Sequence, residues 1–322
     1  MSQIAYPLRF APWHKRCLWG GDRIAQHFGR SGLPPTCGES WEISGHPDGG
    51  GPLLNGPLAG ALLADLVKHF RRKLLGSRAP KADRFPLLFK IIDAQASLSV
   101  QVHPTREAAR ELGAESKNES WHLLAAEPGA HIYAGLVPRM TPKLLRSAIE
   151  EGTVGSLIIA HDAVAGGTIH IPAGLVHAIG SGCLVYEVQQ SANTTYRLYD
   201  WKRLDDSGHL RLLHVEESLA SIDWSLPVPS VEPPRDTPDV WHICSATADF
   251  ALRRARLTAP QQLTPDGESF HALFVAEGSG EVQTGSYREP VKAGDSLLIP
   301  ACVASYTITP HAPGATLLVT TL

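Results

Sequence analysis

Residues 166–177 read Gly-Gly-Thr-Ile-His-Ile-Pro-Ala-Gly-Leu-Val-His. The spacing of Gly166, five residues, Pro172-Ala173-Gly174, two residues and His177 describes a strand that ends in a tight turn presenting an imidazole. Two earlier stretches carry matching donors. In 98–103, Leu98, Val100 and Val102 alternate with Ser99, Gln101 and His103, so Gln101 and His103 project from one strand face, with Pro104 following. Lys117, Glu119 and Trp121 share a face in the same way. Three separate strands are therefore expected to deliver Gln101, His103, Glu119 and His177 to one metal ion. Two imidazoles, a carboxylate and an amide oxygen suit Zn²⁺, one per chain, with a coordination position left for water or substrate. An open position belongs to a catalytic metal rather than a structural one. A histidine at a strand end is ordinary by itself, and this chain has 15; the convergence of three donor clusters carries the reading. Gln101 is the weakest donor, a neutral amide that alternatively orients a water.

Composition agrees with a catalytic chain. At 322 residues with 43% hydrophobic content there is ample material for a core and for more than one compact unit. A formal net charge of −3 and a pI near 6.6 give no electrostatic footprint for nucleic acid or an anionic membrane. The N-terminal residues show no basic region followed by an apolar one, and no apolar run is long enough to span a bilayer. The cysteines Cys17, Cys37, Cys183, Cys244 and Cys302 are odd in number and form no CxxC pair, as expected of reduced thiols in a cytoplasmic enzyme. No obligate protein partner is implied.

The chain reads as mainly β. Alternation or apolar density predicts strands at 37–44, 87–92, 98–103, 121–125, 168–171, 183–189 and 194–201. Helices are predicted at 58–75, 105–112, 142–151 and 215–221; the third has Thr141 as N-cap, Pro142 at its first position and Gly152 beyond its end. Five prolines within 227–238 predict an extended connector. The expected organisation is a catalytic part at 1–226, a Pro-rich connector at 227–239 and a C-terminal part at 240–322. The last part has predicted strands at 271–276, 280–284, 296–299 and 316–320.

The 166–177 pattern resembles the second motif of the cupin barrels. The C-terminal part repeats its frame, Gly294, five residues and Pro300, but has Cys302 and Ser305 where Gly174 and His177 stand. The expected fold is two cupin-type, jelly-roll β-barrels, with a few helices inserted in or packed on the N-terminal part. The second barrel is read as a packing partner without metal ligands.

Longer segments are more specific. GESWEIS at 38–44, FPLLFKIIDAQASLSVQVHP at 85–104, KNESW at 117–121 and IPAGLVHAIGSGCLVYEVQQSANTTYRLYDW at 171–201 resemble the type I phosphomannose isomerases in their short bacterial form. The resemblance implies zinc-dependent interconversion of mannose 6-phosphate and fructose 6-phosphate, with Gln101, His103, Glu119 and His177 as ligands. It places the family's catalytic arginine on Arg197 and substrate-proximal lysines on Lys90 and Lys117. Asn193 departs from the usual Asp, and Asn118 from the usual Thr.

Moving a proton between C1 and C2 through an enediol(ate) needs a base beside the carbon and positive charge beside the developing oxyanion. Arg197 either stabilises the enediolate or fixes the sugar through its planar fork. Lys90 interrupts the apolar run 87–92, where a buried ammonium snorkels, pairs with an acid such as Glu187, or has a lowered pKa. Glu187 and Gln189 share a strand face, the wall of a polar pocket. Lys90, Lys117, Glu187 and a metal-bound water all remain candidate bases. Trp13, Trp19, Trp41 and Trp121 are assigned to the core rather than to a sugar platform. The competing functions are another metal-dependent cupin enzyme, against which the Gln-x-His in place of His-x-His argues, and a non-catalytic sugar-phosphate-binding protein.

Overall fold

The computed structural model describes residues 3–81 and 83–322. In chain order, β1 (Trp13–Gly21), α1 (Arg23–Phe28) and β2 (Cys37–Ser44) precede α2 (Leu63–Leu75), β3 (Leu87–Ala94), β4 (Val100–Val102), α3 (Arg106–Leu112), β5 (Glu119–Ala126), β6 (His131–Leu136) and α4 (Pro142–Glu151). Then come β7 (Ile158–Asp162), β8 (Thr168–Ile171), β9 (His177–Ile179), β10 (Cys183–Gln190), β11 (Tyr196–Tyr199) and α5 (Val215–Ser221). The remaining elements are strands: β12 (His242–Ala246), β13 (Ala251–Leu257), β14 (Gln261–Leu263), β15 (His271–Thr284), β16 (Tyr287–Lys292), β17 (Ser296–Ile299) and β18 (Tyr306–Thr321).

The chain forms two compact units, and it does not divide at the Pro-rich connector alone. One unit comprises His14–Glu39 and Ile91–Pro233; the other gathers Met1–Trp13, Ser40–Lys90 and Pro234–Leu322. Backbone pairing explains why the N-terminal pieces join the C-terminal strands. Leu8 exchanges both hydrogen bonds with Leu298, and the carbonyls of Lys73 and Leu74 at the end of α2 accept from Cys302 and Ala301. The connector also does more than connect, because Glu232 exchanges both backbone bonds with Thr168 on β8.

Sheet order is β1-β2-β3-β10-β5-β8 in one six-stranded sheet and β11-β4-β9-β6-β7 in a five-stranded sheet. Strand alternation sorts the side chains into two layers. Trp121, Leu123 and Val185 from the first sheet pack with Ile132, Ala134 and Ile179 from the second. The opposite face of the five-stranded sheet, including Val100, Val102, Val176 and Ala178, packs with Leu145 and Ile149 of α4 and partly buried Leu219 of α5. Because Val100 and Val102 face the helices, Gln101 faces the space between the sheets. In the other unit, β12-β13-β18-β15-β16, with β14 on β18 and β17 on β15, closes over an apolar core that includes Leu257, Leu273, Val275, Leu297, Ile308 and Val319.

The strands at 37–44, 168–171 and 296–299 and the helices at 142–151 and 215–221 stand where the sequence places them. Three elements are shorter than expected. The helix over 58–75 begins at Leu63, because Leu53 pairs with the carbonyl of Ala61 and Gly60 turns at φ +92°. The strand over 98–103 retains only Val100–Val102, and that over 194–201 ends at Tyr199 because Trp201 and Lys202 adopt positive φ. β1 escapes sequence reading because WHKRCLWGG carries charge in mid-strand. All five cysteines are free thiols, and no helix among the described residues is long and apolar enough to cross a membrane.

At α4 the Thr141 side chain accepts from the Leu144 N–H at 3.3 Å. Thr141→Ala is expected to lower the unfolding free energy by about 1 kcal/mol in urea denaturation, the usual cost of removing an N-cap.

Candidate metal centre

β4 lies between β11 and β9, and its register sets Arg197 opposite Gln101 and Gln101 opposite His177. In the six-stranded sheet β5 pairs with β10, bringing Gln189 opposite Glu119 and Glu187 opposite Trp121. Short strands end at the site: His103 follows the last residue of β4, Glu119 opens β5, and His177 opens β9. Lys117 precedes β5 rather than lying within it. His177 begins a strand after the turn rather than ending the one before it.

The ligand-type atoms of His103, Glu119 and His177 lie within 4.8 Å of one another, and all three side chains are fully buried. His103 Nε2 is 3.3 Å from Glu119 Oε2, and His177 Nε2 is 3.5 Å from Glu119 Oε1. Both imidazoles are aimed from behind. His103 Nδ1 lies 2.9 Å from the Thr194 carbonyl and His177 Nδ1 lies 2.8 Å from the Leu175 carbonyl. A carbonyl accepts only, so each Nδ1 carries the proton and each Nε2 turns a lone pair towards the carboxylate. His103 Nε2 makes no hydrogen bond. Gln101 completes the rim with its amide 3.2 Å from His177 Nε2. A half-turn of that amide presents its oxygen instead.

Electrostatics favour cation-ready donors. Burial, aided by the Lys117 charge, pushes His103 down to about 4, and burial likewise lowers His177. Both are neutral near pH 7 and available as ligands. Burial alone would raise the Glu119 carboxyl, but the Lys117 charge counters it and holds it well below the usual carboxylate range. The Lys117 ammonium sits 2.8 Å from Glu119 and donates to Gln189 Oε1 at 3.1 Å.

A curated relative, the mannose-6-phosphate isomerase ManA of Bacillus subtilis, is 36% identical over 315 residues, covering 95% of this chain and 96% of the relative. The chain belongs to the type I phosphomannose isomerase family. The family's catalytic-domain model matches residues 8–127, and a mannose-6-phosphate isomerase cupin-domain model matches 242–316, as expected of a C-terminal cupin. The mannose-6-phosphate isomerase of Streptococcus mutans is 34% identical, with 94% and 95% of the two chains covered. The crystal structure of a Bacillus subtilis mannose 6-phosphate isomerase superposes with a TM-score of 0.85 at 29% identity, covering 98% of this chain and 99% of that one. A zinc-bound mannose 6-phosphate isomerase shares the fold at a TM-score of 0.75 and 15% identity, covering 98% of each chain.

Against this family background the other sequence-derived candidates separate. Lys117 belongs to the cluster. Glu187 is buried and accepts from the Trp121 indole N–H at 3.1 Å. Arg197 is half-buried, and its Nη1 donates to the Leu212 carbonyl at 2.9 Å. Burial, then the nearby Arg211, lowers its pKa from the usual arginine value. Lys90 falls in the other compact unit, buried with its ammonium 5.3 Å from the Trp41 ring centroid. Trp19, Trp41 and Trp121 are core residues. Asn193 is an exposed loop residue between β10 and β11.

Four supporting groups have roles that sequence reasoning does not give. Gln189, which the sequence marks as pocket wall, anchors Lys117 while donating to the carbonyls of Gln190 and Ala192. Asn118 Oδ1 accepts from the Ala173 N–H at 2.8 Å, tying the Glu119 strand to the turn that delivers His177. The Thr194 and Leu175 carbonyls carry no side-chain signal at all. Trp121→Phe removes a donor from a buried carboxylate, so a loss of about 1–3 kcal/mol is expected in urea unfolding.

Proposed function

We propose that this chain is a zinc-dependent mannose-6-phosphate isomerase with Gln101, His103, Glu119 and His177 as metal ligands. The observation that carries the reading is the fully buried trio His103, Glu119 and His177, whose ligand-type atoms converge within 4.8 Å. The donor set fits zinc: two neutral imidazoles, one ionised carboxylate and a neighbouring amide. When bound, the ion supplies Lewis-acid charge beside the sugar oxygens at C1 and C2.

The chain's own residues support the remaining steps of proton transfer through an enediol(ate). Lys117 holds Glu119 ionised, and the third N–H of its ammonium is left for a substrate oxygen. Arg197 is assigned to the developing oxyanion, standing one strand from Gln101 and keeping its charge despite burial. Glu187 and Lys90, a buried carboxylate and a buried ammonium, are the further groups assigned to proton handling. All of these residues lie within 1–226, the part assigned to catalysis. The reading gives a cytoplasmic enzyme that takes a small-molecule hexose 6-phosphate, without nucleic-acid, membrane or obligate protein partners.

Purified protein is expected to contain about one zinc per chain by elemental analysis. It should interconvert the two hexose 6-phosphates in a coupled assay and lose that activity on chelation. Indifference to both sugars by a zinc-loaded preparation would sink the assignment. His103→Ala and His177→Ala should lose metal, whereas Arg197→Ala should keep it with turnover reduced on the order of 10²-fold or more. Wild-type turnover in Arg197→Ala removes the role given to that residue.

A further inference from the structure

The C-terminal strands reproduce the ladder that builds the metal centre, with different side chains at its stations. β5 pairs with β8 so that Glu119 faces Ile171, just before Pro172. β15 pairs with β17 so that His271 faces Ile299, just before Pro300. His271 therefore stands at the station of Glu119. The shared Gly-x5-Pro frame puts Ser305 at the station of His177. Gln101 faces His177 across β4 and β9, and Leu263 faces Tyr306 across β14 and β18. Extending that second register by one residue beyond β14 sets Thr264 opposite Ser305 and assigns Thr264 and Asp266 to the stations of Gln101 and His103.

Three of these stations, Thr264, Asp266 and His271, line a cavity of about 230 Å³ together with Arg253 and Thr321, whereas the Ser305 hydroxyl accepts from the Gln262 amide at 3.0 Å. Among the described residues, the metal-type cluster is His103, Glu119 and His177, so these counterparts form no second one. His271 is buried, with Nδ1 2.8 Å from the hydroxyl of the fully buried Tyr306. Burial, with the Arg253 charge, pushes His271 down to about 4, and burial raises Tyr306, so both are neutral near pH 7. In the tautomer in which Tyr306 donates to Nδ1, the imidazole proton sits on Nε2. Arg78, also in the lining, is occupied by Glu268 and by the Leu322 carbonyl. The side chains of Arg253 and Asp266 make no ion pair or hydrogen bond among the described residues.

We propose that this cavity is a metal-free binding site for a small hydroxylated oxyanion, a phosphate ester or carboxylate of a polyol, with Arg253 as its clamp. The guanidinium fork matches two oxyanion oxygens, and the His271 N–H adds a neutral donor. Asp266 accepts from ligand hydroxyls, and Thr264 and Thr321 supply hydroxyl partners of either sense. The donor and acceptor mixture distinguishes this site from a bare anion hole.

The test is calorimetric titration of the intact zinc-loaded protein with glucitol 6-phosphate, gluconate and inorganic phosphate, comparing wild type, R253M and D266N. Binding at the metal centre is common to all three proteins and cancels in the comparison. R253M is expected to weaken one binding event at least about tenfold, leaving kcat and KM of the isomerase assay unchanged. Whether the phosphate ester or the carboxylate shows that loss identifies the ligand source. D266N should weaken the hydroxylated probe without weakening inorganic phosphate, since it removes a hydroxyl acceptor and a like charge together. Indistinguishable isotherms for wild type and R253M with every probe overturn the proposal, as does an effect confined to inorganic phosphate. Absence of isomerase turnover in the wild type would instead count against the assigned activity.

Discussion

An ionised carboxylate with no access to water is the constraint around which the candidate metal centre is arranged. Burying a lone carboxylate costs several kcal/mol, so Glu119 requires nearby positive charge or donors. Lys117 at 2.8 Å meets that need, but Lys117 is itself buried and is fixed in turn by Gln189. Gln189 hangs from the backbone at the end of β10, and the loop after it supplies the Thr194 carbonyl that orients His103. Loss of Lys117 or of Gln189 leaves a buried charge without its partner.

The imidazoles illustrate how position and protonation are set together. Each gives its Nδ1 proton to a carbonyl and turns its Nε2 lone pair towards Glu119, and burial holds both rings neutral. In an ion-free state these groups crowd one anion with lone pairs, an arrangement that a divalent cation relieves. The same ladder in the C-terminal strands has a histidine where the carboxylate stands, backed by a tyrosine hydroxyl instead of a carbonyl. That exchange removes the anionic donor on which the first centre is built.

Much of the site is legible in the residues themselves. Alternation in Leu98–His103 identified the face of Gln101 and His103, because side-chain direction in a strand is a local property with period two. The helix 142–151 was equally legible, its Thr141-Pro142 start and Gly152 stop being local signals. Groups that act through the backbone, such as the Thr194 and Leu175 carbonyls, leave no mark in residue type. Lys90 could be flagged as a buried ammonium, yet its packing over Trp41 depends on strands separated in the chain.

Local order along the chain thus determined the strand faces, the turn before His177, the donor types and the family. Tertiary structure alone decided that Glu119 lies between two imidazoles, that Lys117 neutralises it, and that N-terminal segments complete the C-terminal unit. The physical reason is that pairing register and inter-sheet packing depend on contacts between residues tens to hundreds of positions apart. Propensity and periodicity, which act over a few residues, do not encode those distances.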